Sequence, residues 1–258
     1  MTGEAILLVG RAAEDRTAVL ETHADRNADC GVVDSVHVAT YEQEPVRELR
    51  PQLSAVTAET VYVVPMCVAH DHESLDAIPG ALSYLSGTVR YCEPIGGSDA
   101  VTRVLESRAA ETLPPGEDTT LIIVAFGSSS KPYHAETADY HATRLRERSA
   151  YESVLTCYLL QNPAVECVRY NVATSRAVAV PLFVSRTEAT TSRIPEALEL
   201  DRGGIEYADP LGTHPKVTEA VLAEVEKQRA LEGTTAETSF EARLVETQRP
   251  TATDGEGL

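Results

Sequence analysis

The sequence repeats itself at a fixed distance of 116 residues. The segment 64–68 (Val-Pro-Met-Cys-Val) returns at 180–184 (Val-Pro-Leu-Phe-Val), and 13 of 42 positions are identical between 61–102 and 177–218. Self-similarity at a fixed offset is typical of a duplicated domain. Because 258 residues can bury two cores of ordinary size, the repeat predicts two similar domains in tandem.

Both copies alternate short apolar runs with segments of helical spacing. The runs 5–9 and 121–125 are apolar and bounded by turn residues, as buried parallel strands are. Helical segments are expected to begin at Ser98, Pro163 and Pro215, which are residues that favour helix starts. Four strands and four helices, twice over, predict an α/β protein of two homologous doubly wound domains, each with a parallel four-stranded sheet.

The expected boundaries follow from changes in composition. An N-terminal domain over 1–112 and a C-terminal domain over 121–230 are joined by a linker, 113–120, that is rich in proline and glycine. From 231 to 258 the chain is rich in Thr, Glu and Gly, which predicts a disordered acidic tail with one helical turn at 240–245.

Charge and hydropathy exclude several classes of partner. A formal net charge of −18 opposes binding to nucleic acid or to an anionic membrane. The sequence has no run of 18 or more apolar residues and no basic segment before its first apolar strand, so we expect neither a membrane span nor a signal peptide. The five cysteines show no Cys-x-x-Cys spacing, which favours buried thiols in a reducing cytoplasm.

The basic residues are almost all arginines. Lys131, Lys216 and Lys227 are the only lysines among 22 basic residues, which leaves 19 arginines. Excess carboxylates with few lysines are typical of a halophilic surface, although an ordinary acidic protein is the alternative. We expect the melting temperature to fall as salt is lowered from molar to about 0.1 M, because the Debye length grows from ~3 to ~10 Å and the carboxylates repel one another. Thermal unfolding across a KCl series tests this, and an unchanged melting temperature would contradict salt adaptation.

The apolar strand at 61–68 leads into a loop that contains His70 and His72. Ligands of parallel sheets bind beyond the carboxyl ends of strands, and alternate residues of an extended segment point the same way, so both imidazoles could face one cleft. Neutral imidazole accepts protons near pH 6.5 and ligates cobalt, nickel, iron or zinc. We predict that His70 and His72 are catalytic and metal-binding; the alternative is a pair of solvated loop residues. The second copy has Arg186 and Glu188 instead.

Two motifs resemble those of the sirohydrochlorin chelatase family, the small-type class II cobalto- and ferrochelatases. In that family a strand Pro-Leu-Phe-Leu leads to a histidine-containing loop and Asp-Ile-Pro; here 65–68 (Pro-Met-Cys-Val) leads to His70 and to 78–79 (Ile-Pro). The family's later motif, Pro-Leu-Gly-x-His-Pro, matches 210–215 almost letter for letter. The resemblance covers about 5–227, and it implies a duplicated form of the class II chelatase fold.

The family's first strand ends in Val-Gly-His-Gly-Ser, and its histidine binds metal. Here 9–13 reads Val-Gly-Arg-Ala-Ala and 124–128 reads Val-Ala-Phe-Gly-Ser, so Arg11 and Phe126 stand at the histidine position. The departure leaves three interpretations: an active chelatase, a non-catalytic paralogue that binds a tetrapyrrole or metal ion, or a structural partner of an active chelatase.

The resemblance implies a metal chelatase, a lyase of cobalamin or siroheme biosynthesis. It would insert a divalent metal, cobalt ahead of iron or nickel, into a sirohydrochlorin-like tetrapyrrole; the metal is a substrate, and no bound organic cofactor is expected. The family's substrate carries eight carboxylates, which so acidic a chain would repel unless cations line the site. Arg11, Arg186 and Arg193 lie at or just after predicted strand ends, and guanidinium groups suit carboxylates. The sequence leaves open whether the chain forms a homodimer.

Three further histidines received other interpretations. His134 and His141 share one face of a predicted helix, but two turns, roughly 10 Å, separate them, which is too far to share an ion. We interpret both as surface or cleft-edge residues. His214 precedes Pro215 at a helix entrance, where a structural role is favoured.

Overall fold

The computed structural model describes residues 3–13 and 15–232. The strands are β1 (Glu4–Arg11), β2 (Ser35–Tyr41), β3 (Thr60–Pro65), β4 (Thr88–Tyr91), β5 (Thr119–Ala125), β6 (Ser153–Tyr158), β7 (Arg176–Pro181) and β8 (Ile205–Tyr207). The helices are α1 (Arg16–Asp29), α2 (Pro45–Leu53), α3 (Ile78–Ala81), α4 (Asp99–Thr112), α5 (Tyr133–Arg148), α6 (Val165–Val168), α7 (Ile194–Ala197) and α8 (Pro215–Glu232). We call the residues up to Thr112 the first half and those from Thr119 the second half. None of these helices combines the length and the apolar character that crossing a membrane requires.

The strands form two separate sheets of four, parallel throughout, in the orders β2-β1-β3-β4 and β6-β5-β7-β8. The predicted α/β class and the pair of parallel sheets are thereby confirmed. Pro65 ends β3 beside Val9 of β1, and Pro181 ends β7 beside Val124 of β5. The repeated segments therefore occupy equivalent places in the two sheets.

Two short helices follow turns that are wider than an α-helical turn. The π-helical turns Glu73–Ala77 and Ala189–Arg193 directly precede α3 and α7. Each turn precedes an Ile-Pro pair, and a proline ring clashes with the carbonyl four residues before it in an α-helix, so a wider turn is favoured. At the C-terminus α8 continues past the predicted boundary at 230, and the rest of the predicted tail, with its turn at 240–245, lies outside the described residues.

Alternate residues of β1 face two different cores. Ile6 and Leu8 belong to a central core, whereas Leu7 and Val9 belong to an outer core that α2 covers. The central core combines residues of both sheets with α1, α4, α5 and α8, the four longest helices. Within it α4 packs against β7 and α8 packs against β3. The last helix of each half therefore covers the sheet of the other half.

His23 of α1 joins the two halves from a fully buried position, with a relative exposure of 0%. Its Nε2 donates a hydrogen bond to the carbonyl oxygen of Gly212 at 3.0 Å, and its Nδ1 lies 2.9 Å from the Thr218 hydroxyl. Because a carbonyl can only accept, the proton is on Nε2, and Nδ1 accepts the threonine hydrogen. Burial favours the neutral form of the ring and lowers the pKa of His23.

His141 of α5 makes the equivalent contacts in the opposite direction. Its Nε2 donates to the carbonyl oxygen of Gly96 at 2.7 Å, and its Nδ1 lies 2.8 Å from the Thr102 hydroxyl. Both partners stand 116 residues before those of His23, so the repeat relates the two contacts. The interpretation of His141 as a surface or cleft-edge residue was wrong: the side chain is 0% exposed, because the helix face that carries it is covered by the other half.

Candidate functional site

Side chains beyond the carboxyl ends of the two sheets meet where the halves face each other. The ring of His70, which follows β3, packs edge-on against Tyr133 at the start of α5, with 5.6 Å between centroids. From the other side Arg16, at the start of α1, donates from Nε to the hydroxyl of Ser185, which follows β7, at 3.1 Å. We call this region the junction. Its members are Arg11, Arg16, His70, Glu73, Phe126, Tyr133, His134, Phe183 and Arg193.

Arg11, the last residue of β1, forms an ion pair with Glu73, the first residue of the π-helical turn. The second carboxylate oxygen of Glu73 accepts a hydrogen bond from the Tyr41 hydroxyl at 2.9 Å. Burial, with the charge of Glu73, raises the pKa of Tyr41, so its hydroxyl acts as a donor. The Arg11 side chain is 49% exposed, which leaves its guanidinium accessible to a second anion.

His70 is held on both edges of its ring. Its Nε2 lies 2.7 Å from a carboxylate oxygen of Glu93, and its Nδ1 lies 3.3 Å from the Ser74 hydroxyl. The side chain is 14% exposed. A carboxylate at one imidazole nitrogen is the arrangement that orients metal-ligating histidines, because it fixes the tautomer and the ring plane.

His72 has different surroundings from His70. Its side chain is 78% exposed, and the nearest carboxylate, that of Asp76, is 3.9 Å away. His72 has helical backbone angles, φ −63° and ψ −36°, because the π-helical turn starts at the next residue. The alternation of an extended loop, on which the shared orientation was predicted, therefore does not apply. Within the described residues, no three His, Cys, Asp or Glu side chains are grouped so that they could hold a metal ion.

The second half carries an ion pair where the first half has His70 and Glu93. Arg186 and Asp209, each 116 residues further on, lie 2.7 Å apart, and both side chains are 57% exposed. The hydrogen bond that Arg186 donates to the Asp209 carboxylate raises the pKa of Arg186. Arg186 also lines a surface cleft of about 310 Å³ between α1 and the loops after β7 and β8. The structure thus places Arg186 against a carboxylate partner rather than free.

An aromatic pair occupies the sheet end of the second half. The rings of Phe126, after β5, and Phe183, after β7, pack edge-on with centroids 6.3 Å apart. The guanidinium of Arg193 lies over the Phe126 ring, 6.0 Å from its centroid. An apolar aromatic surface beside a cation suits an apolar ligand that carries anionic substituents.

Sequence reasoning missed Arg16. Its side chain is partly buried, and burial is the main cause that lowers its pKa, although the nearby Glu73 carboxylate acts in the opposite direction. No ion pair to Arg16 is found in the part of the chain that the structure describes. A cation on the first turn after a strand end was a usable signal, but one helix-start arginine among 19 arginines is not distinctive.

His134, at the start of α5, contacts the aromatic pair. Its ring centroid is 6.2 Å from that of Phe126. Its Nδ1 is buried and has no hydrogen-bond partner among the described residues. Burial lowers the pKa of His134, while the Asp71 carboxylate of the first half acts to raise it. His214 lies elsewhere: its Nδ1 accepts the Lys216 backbone N–H at 3.2 Å, which agrees with a structural role at the start of α8.

Sequence comparison identifies relatives of both halves. The family model CbiX matches residues 120–228, within the second half. A probable sirohydrochlorin cobaltochelatase from Halobacterium salinarum (strain ATCC 700922 / JCM 11081 / NRC-1) is 26% identical over 263 residues, which cover 85% of this chain and 89% of that protein. The relative thus extends the match of the family model to the first half.

Solved structures show the same architecture. SirB from Bacillus subtilis with Fe³⁺ has a TM-score of 0.71 at 22% identity, over 91% of this chain and 98% of SirB, a level of identity that establishes the fold alone. A multi-domain protein from Deinococcus radiodurans with structural similarity to chelatases has a TM-score of 0.74 at 25% identity; the match covers 91% of this chain and 56% of that protein. The family model, the relative from Halobacterium salinarum and the shared topology agree with the motifs read from the sequence, and the chain is similar to sirohydrochlorin chelatases.

Proposed function

We propose that this protein inserts a divalent metal ion, cobalt ahead of iron, into a sirohydrochlorin-like tetrapyrrole in cobalamin or siroheme biosynthesis. The observation that carries the proposal is the composition of the junction. An aromatic pair and three arginines meet there in a chain of net charge −18. Arg11 and Arg193 are exposed, and Arg16 has no ion pair within the described residues.

The junction suits the chemistry of such a substrate. A tetrapyrrole of this type is flat and apolar at its centre and carries carboxylates at its rim. Phe126 and Phe183 offer an apolar aromatic surface, and Arg16 offers a partly buried cation. A guanidinium removed from water without a carboxylate partner is costly, so a substrate carboxylate that reaches Arg16 restores the missing pair.

The metal requires little from the protein, because the tetrapyrrole supplies four nitrogen ligands. A chelatase needs a weak site that releases the ion, and a single oriented imidazole is weaker than a cluster of three ligands. We assign this task to His70, which Glu93 orients, and we assign the first encounter with the ion to the exposed His72.

Replacing His70 and His72 together by Ala is expected to abolish metallation and to leave tetrapyrrole binding nearly intact, because the arginines bind the carboxylates. Metallation is followed anaerobically by the absorption spectrum of the tetrapyrrole with Co²⁺, Fe²⁺ or Ni²⁺. Turnover that survives the double substitution would refute the assignment of the metal site.

Arg11→Ala is expected to do the reverse: it should weaken tetrapyrrole binding by the ~1.5–3 kcal/mol of a charged hydrogen bond, and reduce turnover only at low substrate concentration. Arg47→Ala is the matched control, since Arg47 is 84% exposed and pairs with Glu44 on α2. If Arg11 is instead a degenerate metal ligand, Arg11→His should raise the turnover.

Wild-type protein that binds the tetrapyrrole but metallates it with none of the three ions would favour the non-catalytic paralogue. A tetrapyrrole spectrum that the protein leaves unchanged would favour the structural partner of an active chelatase.

A further inference from the structure

The repeat places an imidazole in the second half where the first half carries a guanidinium. His23 and His141 are equivalent, because they make the same contacts with equivalent partners. Arg16 stands seven residues before His23, and His134 stands seven residues before His141. Seven residues are two helical turns, so each of the two earlier residues lies on the helix face that meets the other half.

His134 lies among groups of both halves. Its ring packs beside Phe126 of the second half, and the Asp71 carboxylate of the first half lies close enough to affect its pKa. A planar ligand on the Phe126 surface would therefore come within reach of this imidazole.

His134 differs from the other imidazoles nearby in how its ring nitrogens are held. Glu93 and Ser74 contact both nitrogens of His70, and a carbonyl and a hydroxyl fix the tautomers of His23 and His141. The buried Nδ1 of His134 has no partner in the described part of the chain. A buried polar atom without a partner is costly, and one reason for which native proteins keep such an atom is a catalytic role.

We propose that His134 is a catalytic residue, the base that accepts the pyrrole protons displaced by the incoming metal ion. The assignment rests on the proposed chelatase function. It agrees with the match of the family model to residues 120–228, the half that contains His134 but lacks His70 and His72.

The step balances without a further reactant. A pyrrole N–H bond breaks, its electron pair stays on the ring nitrogen and forms the bond to the divalent ion, and the proton forms an N–H bond on the imidazole. The imidazolium releases this proton to water and then accepts the second one. Burial lowers the pKa of His134, which keeps the imidazole neutral and ready to accept a proton at pH 7.

His134→Asn is expected to lower kcat for cobalt insertion about 10²-fold, with KM changed less than about threefold, because loss of a general base typically costs 10²–10⁴ in rate. Free imidazole should restore turnover to His134→Ala by filling the space beside Phe126. His37→Gln is the matched control, since His37 lies on β2 with its Nε2 3.1 Å from the Ser35 hydroxyl and does not belong to the junction. It should retain wild-type turnover.

A His134→Asn variant that is folded, binds the tetrapyrrole and retains turnover within threefold of wild type would overturn the proposal. Failure of the proposed function is a separate outcome, recognised when the wild type itself has no turnover. In that case the ring resonances of His134 decide. A shift on addition of metal-free sirohydrochlorin, with those of His37 unmoved, would support contact with the substrate, and unmoved His134 resonances would overturn it.

Discussion

Gly96→Ala is expected to lower the free energy of unfolding by more than about 3 kcal/mol, a larger loss than most single substitutions cause. A Cβ at Gly96 would lie 1.7 Å from the carbonyl oxygen of Val68 and 2.5 Å from its carbonyl carbon. Both are backbone atoms that follow β3, so no side-chain rotation relieves the clash. The same change displaces the Gly96 carbonyl, which accepts the hydrogen bond from His141.

Gly97→Ala is the control one residue away. A Cβ there has no atom within 4 Å, so stability should change by at most about 0.5 kcal/mol. Urea denaturation of both variants in molar salt measures the difference. Equal stabilities would contradict the close approach of the Gly96 and Val68 backbones.

Acid is expected to destabilise the fold through His141. Burial lowers the pKa of His141 from its ordinary 6.5 to about 4, against the opposing effect of the Gly96 carbonyl. Well above pH 6.5 the histidine is neutral in both states, so its titration does not change the free energy of unfolding. As the pH falls below 6.5 the unfolded chain binds the proton and the folded chain does not. By pH 4 the loss reaches about 3 kcal/mol, at ~1.4 kcal/mol per pH unit.

The lowered pKa of His23 adds a loss of the same sign. Chemical denaturation between pH 7.5 and 4 should therefore show a steep decline in the free energy of unfolding. His141→Gln, which can still bond to Thr102 or Gly96, should be less stable at pH 7.5 but should decline less steeply with acid. His37→Gln should keep the wild-type slope. A variant without His141 that retains the full wild-type slope would contradict the assignment.

The parallel arrangement of the two sheets was predictable, because the order of apolar runs and helical segments along the sequence determines it. Apolar runs at 5–9 and 121–125, with helical segments between strands, require parallel pairing, and the repeat requires that it occur twice. The interface between the halves was not predictable in this way. Along α5, His141 lies among the buried apolar residues Ala138, Ala142 and Leu145, and the polar partners of its ring, Gly96 and Thr102, come from the other half.

The candidate site was predicted in part for the same reason. Arg11 and His70 lie beside the carboxyl ends of β1 and β3, where ligands of parallel sheets bind. His72 does not share the partners of His70, because an Ile-Pro pair several residues later favours a π-helical turn over an extended loop. Arg16 was not singled out, and His134 was interpreted only as a surface or cleft-edge residue. The importance of both depends on a meeting of two helix starts with sheet ends of the opposite half.

Each half covers its sheet with the last helix of the other half, and this arrangement limits which substitutions the chain can accept. Because α4 covers β7 and α8 covers β3, the central core is completed only when both halves are present, although each half has an outer core of its own. Whether a substitution on the inner face of β3 is tolerated therefore depends on how well the new side chain packs against α8, which lies more than 100 residues later in the sequence. The two copies of the repeat can diverge freely at the junction, as Arg16 and His134 have, but their packing surfaces must change together. A gene fragment that encodes only one copy would produce a chain with an uncovered sheet.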